Sequence, residues 1–185
     1  VLEFGSRRAQ GIAGAVTGAR AAFIGGCAGT ACTVSDQVYG VPAAGTMAHS
    51  WVQMFDSEYD AFVSYCKTYP NNAVLLVDTF NTLKSGIPNA IRAFNEVLRP
   101  MGITKGRIRL DSGDMAYLTQ RARKMLDDAG WPDCTITVSN SLDERLITEL
   151  IRQGAKIDSF GVGERLITSK SSPVFGGVYK LCAVE

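Results

Sequence analysis

One histidine, an Arg-x-Asp segment and two glycine-bearing turns hold most of the reactive and ligand-binding chemistry in these 185 residues. His49, the chain's single histidine, sits in Gly45-Thr46-Met47-Ala48-His49-Ser50-Trp51. An imidazole there acts as a base or as a nucleophile that accepts phosphoryl groups. The alternative is a packing residue at a helix start, with Ser50 placed to cap the amphipathic run from Trp51 to Cys66. In Arg109-Leu110-Asp111-Ser112-Gly113-Asp114, period-two alternation sets Arg109 and Asp111 on one side, opposite Ile108 and Leu110. Such a pair forms a structural ion pair, or it holds an anionic ring substituent and a ribose diol. Asp114 is spaced to cap the helix that follows. Arg7 and Arg8 are adjacent, so they cannot share one helix face, and a guanidinium fork suits a carboxylate or a phosphate. Gly161 and Gly163 follow a strand, and Gly176-Gly177 precedes another. Glycines at such turns free backbone N–H groups for a phosphate, although a lone Gly-x-Gly is a weak signal. Lys180 lies in the last predicted strand and points at the same anion or at solvent.

These residues need elements to position them, and the chain reads as strands alternating with helices. Ala73 to Val77 is an apolar run ending at Asp78; Ile87, Ala90, Ile91, Phe94, Val97 and Leu98 then recur at helical spacing until Pro100 and Gly102. Arg107 to Leu110 ends at Asp111, and a helical pattern from Tyr117 to Ala129 runs to Gly130 and Pro132. Cys134 to Val138 ends at Ser139 and Asn140, and Leu142, Leu146, Ile147, Leu150 and Ile151 form the next helical face. Ile157 to Phe160 ends at Gly161, and Val178 to Val184 reads as a last strand. Strands and helices in this order imply parallel strands joined by crossovers, with ligands at the C-terminal strand tips. Polar or glycine tips follow nearly every strand, which favours an α/β barrel over a doubly wound sheet. Gly11, Gly14 and Gly18, followed by Gly25, Gly26 and Gly29, permit close helix packing or close backbone approach to a ligand.

Composition narrows the class. Apolar residues are 46% and charged residues 20%, the balance of a soluble globular domain, expected here to span 1–185. Nineteen basic against eighteen acidic residues give no excess that would point to nucleic acid, and no run is long and apolar enough for a membrane span. Cys27, Cys32, Cys66, Cys134 and Cys182 make an odd set without paired spacing. With one histidine available they argue against a zinc site and read as reduced thiols of a cytoplasmic protein. The absence of an initiator Met fits a chain that begins inside a longer polypeptide.

Eight segments, in this order and spacing, resemble the nicotinate phosphoribosyltransferase family over essentially the whole chain. They are Glu3 to Gly11, Gly45 to Ser50, Asp78-Thr79-Phe80, Ser85-Gly86-Ile87-Pro88-Asn89, Arg109 to Asp114, Ser139-Asn140 with Phe160-Gly161-Val162-Gly163, and Gly176 to Leu181. The resemblance implies the irregular, TIM-like α/β barrel of type II phosphoribosyltransferases, truncated at both ends. It implies transfer of phosphoribosyl from phosphoribosyl pyrophosphate to nicotinate in NAD biosynthesis, giving nicotinate mononucleotide and pyrophosphate. Mg²⁺ is expected with the pyrophosphate, and ATP hydrolysis is expected to couple through a phosphohistidine at His49.

By the same resemblance Arg7 and Arg109 grip the nicotinate carboxylate or phosphate oxygens, with Gly45, Thr46, Ser139 and Asn140 also lining the substrate. Asp78 and Asp111 serve the ribose hydroxyls, the developing oxocarbenium charge or the Mg²⁺ shell, and Gly161, Gly163, Gly176 and Gly177 hold the 5′-phosphate. Relatives that use nicotinamide carry an Asp in the loop that here reads Gly25-Gly26-Cys27-Ala28-Gly29-Thr30, which favours a carboxylate substrate. The family works as a homodimer with shared sites, so a chain of this extent is expected to turn over little by itself and to expose apolar surface. The competing readings are a phosphate- or nucleotide-binding module without turnover, and a related transferase for nicotinamide or quinolinate.

Overall fold

The computed structural model of the chain describes residues 1–169 together with Ser171, Gly177, Val178, Lys180 and Ala183. In chain order its regular elements begin with β1 (Leu2–Glu3), α1 (Gly11–Ile24), α2 (Thr33–Tyr39), α3 (His49–Val52) and α4 (Glu58–Thr68). They continue with β2 (Val74–Leu76), α5 (Ile87–Ala93), β3 (Arg107–Leu110), α6 (Met115–Asp128), β4 (Thr135–Ser139), α7 (Glu144–Arg152), β5 (Ser159–Val162) and α8 (Glu164–Ile167). The chain divides into two compact units, one of Val1–Gly45, Ser139–Glu149 and Ser159–Leu181, the other of Thr46–Val138, Leu150–Asp158 and Cys182–Glu185.

In the first unit β1 pairs in parallel with β5, Leu2 opposite Gly161 and Glu3 opposite Val162. Glu3 is fully buried. Its carboxylate accepts the Gly5 N–H and, at 2.5 Å, the Thr30 hydroxyl, which itself accepts the Cys32 N–H at 2.9 Å. Donors filling both oxygens offset the cost of burying this carboxylate. The small residues of α1 are used for packing: a methyl group on Gly18 would meet the Ile167 side chain of α8 at 2.7 Å. The same unit leaves Ile12, Ile24 and Val38 exposed.

In the second unit β2, β3 and β4 lie side by side in parallel, with Leu76 opposite Arg109 and Leu110 opposite Val138. Val74, Leu75 and Leu76 are all buried, as a strand covered on both faces requires. The residues of β3 alternate: Ile108 and Leu110 are buried, while Arg107 and Arg109 are partly exposed. The helical pattern after β2 buries Ile87, Ala90, Phe94, Val97 and Leu98 as its spacing predicts. The helix is not regular, because π-turns at Thr82–Gly86 and Phe94–Leu98 flank α5. Trp131 fills the far side of this core, its ring 5.2 Å from that of Phe94 and its indole N–H donating to Asn95.

Three expectations change. The run from Trp51 to Cys66 is not one helix: α3 ends at Val52, and α4 starts anew where Ser57 accepts the Asp60 N–H at 3.1 Å. Ser50 caps nothing, because the residue before α3 is Ala48 and His49 already stands in the helix. Of the apolar face expected after Asn140, Leu142, which precedes α7, and Leu150 are buried, but Leu146 and Ile151 are exposed. The last strand predicted from Val178 falls largely outside the described residues; Val178, Lys180 and Ala183 are not in regular structure.

Burial also governs the thiols. It pushes Cys66 and Cys134 up to about 12, whereas Cys27 is partly exposed and raised less. The thiolate is the reactive form, so at pH 8 iodoacetamide is expected to label Cys27 while Cys66 and Cys134 stay unmodified until the protein is unfolded. Site-resolved mass spectrometry checks this, and labelling of Cys66 or Cys134 in the folded protein at the rate of Cys27 would contradict it.

Candidate active site

The parallel register of β2 and β3, continued two residues past Leu76 and Arg109, sets Asp78 opposite Asp111. The ladder reaches Val77, whose N–H donates to the Arg109 carbonyl at 3.1 Å. Beyond that point a side chain takes over. Oδ2 of Asp78 accepts the Asp111 backbone N–H at 2.7 Å and the Ser112 hydroxyl at 2.6 Å. The Asp78 side chain is 1% exposed, and its Oδ1 has no hydrogen-bond partner among the described residues. A buried carboxylate oxygen left without a donor is costly, and a ligand hydroxyl or cation answers that need.

Arg109 and Asp111 lie on the same side of β3, as alternation predicts, and pair at 2.7 Å between Nη2 and Oδ1. Nη1 of Arg109 donates to the Thr46 hydroxyl at 2.6 Å, so the guanidinium is held at two points. His49 completes the group. Its Nδ1 is 3.1 Å from the Thr79 hydroxyl, while its Nε2 is 3.9 Å from Asp78 Oδ1 and 3.7 Å from Asp111 Oδ2. The latter distances are too long for hydrogen bonds, and they leave the ring facing both carboxylates. The second unit thus gathers Thr46, His49, Asp78, Arg109 and Asp111, residues separated by up to 65 positions when Thr46 and Asp111 are counted (111 − 46). Thr79 and Ser112 join them and are not distinguished by sequence pattern alone. Both stand inside motifs already recognised, directly after an acidic residue, and that adjacency is the only signal they give.

Asp114 has the architectural role its position suggests, accepting the Tyr117 N–H at 3.0 Å to start α6.

The first unit holds the other expected residues. Arg8 pairs with Glu164 at 3.4 Å, while Arg7 is exposed and makes no ion pair among the described residues. Gly45 is exposed with open space where a side chain would be. Ser139 is buried at the end of β4, and Asn140 and Ser141 follow with φ of 86° and 52°. Two successive non-glycine residues in the left-handed region are uncommon, and such backbone clusters at functional sites. Gly161 and Gly163 have packing duties of their own. A methyl on Gly161 would lie 2.5 Å from the Phe4 ring, and one on Gly163 would lie 2.9 Å from the Phe4 carbonyl oxygen. Gly177 is exposed and Gly176 lies outside the described residues. Among the described residues no group of three or more His, Cys, Asp or Glu side chains is placed to hold a metal ion, and no helix is long and apolar enough to cross a membrane.

Comparison with known proteins identifies the family. The model of the nicotinate phosphoribosyltransferase (NAPRTase) family matches residues 1–183. The nicotinate phosphoribosyltransferase of Bacillus subtilis is 48% identical over the whole chain, which covers 37% of that protein. Nicotinate phosphoribosyltransferase pncB2 of Mycobacterium tuberculosis is 40% identical, with 39% of its length covered. The chain therefore spans about two-fifths of the length of these relatives. Among solved structures, human nicotinic acid phosphoribosyltransferase matches 88% of the chain and 43% of its own, with a TM-score of 0.79 at 27% identity. Nicotinate-nucleotide pyrophosphorylase from Pyrococcus furiosus matches 94% of the chain and 43% of its own, with a TM-score of 0.74 at 29% identity. The parallel α/β fold is the one found in these structures, and by motif, fold and near-complete match to the family model the chain belongs to the nicotinate phosphoribosyltransferase family.

Proposed function

We propose that the protein containing this chain transfers phosphoribosyl from phosphoribosyl pyrophosphate to nicotinate, as a cytoplasmic homodimer serving NAD synthesis. The observation that carries this reading is the cluster of Asp78, Asp111, Arg109 and His49 at adjoining strand tips, with an unanswered carboxylate oxygen at its centre. In the reaction the pyridine nitrogen forms a bond to ribose C1 while the bond from C1 to pyrophosphate breaks, the electron pair leaving with pyrophosphate. Positive charge grows on the sugar and must meet fixed negative groups. Asp78 and Asp111 supply them: Asp78 is locked by Asp111 N–H and Ser112, and its Oδ1 remains for a ribose hydroxyl or the sugar cation. Arg109, steadied by Thr46 and Asp111, is assigned to the nicotinate carboxylate, and Arg7 is assigned to it on the family likeness alone.

Mg²⁺ fits these residues as an ion that arrives with the substrate. Two acidic side chains side by side match a small cation that keeps most of its shell in water and phosphate oxygens. Asp78 and Asp111 would hold it, and it would neutralise the leaving pyrophosphate. Gly161, Gly163, Gly176 and Gly177 are assigned to the 5′-phosphate, and Gly45, Ser139 and Asn140 to substrate contact, on the family likeness alone. The absence of an exposed acid in the Gly25 to Thr30 loop favours nicotinate over nicotinamide. Glu3, which contacts Thr30, is buried with both oxygens engaged.

His49 is assigned as the phosphoryl acceptor for ATP. An imidazole nitrogen attacks the γ-phosphorus, ADP leaves, and the bound phosphoryl adds roughly −1.5 to −2 of charge beside Arg109 and the two carboxylates. That charge repels Asp78 and Asp111 and draws in Arg109, altering how the site holds pyrophosphate.

The full protein is expected to form nicotinate mononucleotide from nicotinate and phosphoribosyl pyrophosphate, faster with ATP present, and to discriminate against nicotinamide and quinolinate. No product from nicotinate under these conditions refutes the assignment. Arg109→Ala should raise the KM for nicotinate by about 10- to 150-fold, the equivalent of losing a charge-assisted hydrogen bond of about 1.5–3 kcal/mol. An unchanged KM in a folded variant would leave Arg109 a structural ion-pair partner only. His49→Ala should abolish acid-labile phosphate incorporation from ATP and remove the ATP stimulation, while slow basal transfer survives. Undiminished incorporation would take His49 out of the coupling.

A further inference from the structure

Outside the cluster just described, one more acidic side chain of the second unit is buried. Glu58 stands in the first turn of α4 and is 4% exposed. Its Oε2 accepts the Ser85 hydroxyl and, at 3.1 Å, the Asn89 amide N–H, while Oε1 has no hydrogen-bond partner among the described residues. The two donors come from the π-turn Thr82–Gly86 and from α5, which follows it directly. That turn is tightly made. Asn81 accepts the Lys84 N–H through its side chain at 2.9 Å, and its carbonyl accepts the N–H groups of both Ser85 and Gly86 at 2.9 Å. Gly86 is pressed flat on the residue before Asp78, since a methyl group there would overlap the Val77 carbonyl oxygen and lie 2.6 Å from its carbon.

We infer that Glu58 is a positioning residue for Asp78, acting through Ser85, Asn89 and the π-turn. The carboxylate anchors the turn to α4, the turn's glycine bears on Val77, and Val77 sets where the Asp78 carboxylate enters the cluster. The absence of a side chain at Gly86 is what permits this close approach to β2, and single π-turns of this kind are frequent at functional sites. A carboxylate with one oxygen left over is a demanding anchor for a fold alone, where an apolar contact would serve as well. The inference rests on Asp78 working in the reaction proposed above.

In the full protein Glu58→Ala should lower kcat for nicotinate mononucleotide formation tenfold or more, with KM values changed by less than about threefold, as expected when reacting groups are misplaced rather than lost. Glu58→Gln keeps an acceptor oxygen and should recover most of the loss. In an Asp78→Asn background Glu58→Ala should cost nothing further, because both act through one group. Hydrogen exchange reads the same effect without catalysis. The Asp111 amide, which donates to Asp78 Oδ2, should exchange about tenfold faster in Glu58→Ala, while the Ile136 amide, bound to Asp158, keeps its protection. Ser85→Ala gives the same comparison if Glu58→Ala does not fold. Full additivity with Asp78→Asn, or unchanged protection at Asp111, overturns the inference. A wild-type protein without transferase activity would overturn the functional reading instead, and the exchange experiment would still decide the role of Glu58.

Discussion

A single buried carboxylate ties the strand tips of the second unit together. Parallel strands end with N–H and carbonyl groups that no neighbour satisfies, and at the tip of β3 the Asp111 N–H is such a group. Asp78 Oδ2 meets it at 2.7 Å and takes the Ser112 hydroxyl as well. Hydrogen bonds to a charged acceptor are worth about 1.5–3 kcal/mol each, and here they also offset the desolvation of a side chain that is 1% exposed. Everything else in the cluster follows from that tie. With Asp111 fixed, its own carboxylate holds Arg109, Arg109 reaches Thr46, and His49 faces both acids. The price is an oxygen of Asp78 with no protein donor, which leaves the molecule prepared for a ligand at that atom.

The way the chain leaves β2 explains how Asp78 is presented. An ordinary helix beginning after the strand would need room for a β-carbon at residue 86, and the Val77 carbonyl occupies that space. Glycine there, together with a π-turn, brings the helix backbone onto the strand, and Ile87 and Ala90 then bury themselves against the core. The hydrophobic spacing of Ile87 to Leu98 is therefore correct about which face is inside and silent about the turns at either end. Both π-turns keep the apolar face in contact while shifting the helix by a residue, something that periodicity over one segment does not reveal.

The glycines of the first unit carry a different lesson. Gly161 and Gly163 resemble a phosphate-binding turn, and each is also required by close packing on Phe4, at 2.5 and 2.9 Å for an added methyl. Close packing by itself accounts for glycine at both positions, so the pattern is not diagnostic of phosphate binding. Asn140 and Ser141 show the reverse: nothing in their type announces the left-handed backbone that both adopt after β4.

Local chemistry was readable from the residues. Alternation in β3 put Arg109 beside Asp111, the apolar runs located β2 to β5, and Asp114 stood where a helix cap was needed, because each depends on neighbours within a few positions. The motif order pointed to the family as well. What tertiary structure alone decided is which tips meet. Asp78 and Asp111 are 33 residues apart, His49 and Thr79 are 30, and Glu58 lies 27 and 31 residues from the two donors it receives. Those pairings depend on strand register, on a helix broken at Val52 and restarted after Ser57, and on a glycine pressed against a carbonyl. Each is the outcome of burial and hydrogen bonding summed over distant parts of the chain. No local spacing encodes that sum, so Thr79, Ser112 and Glu58 became visible only once the chain was folded.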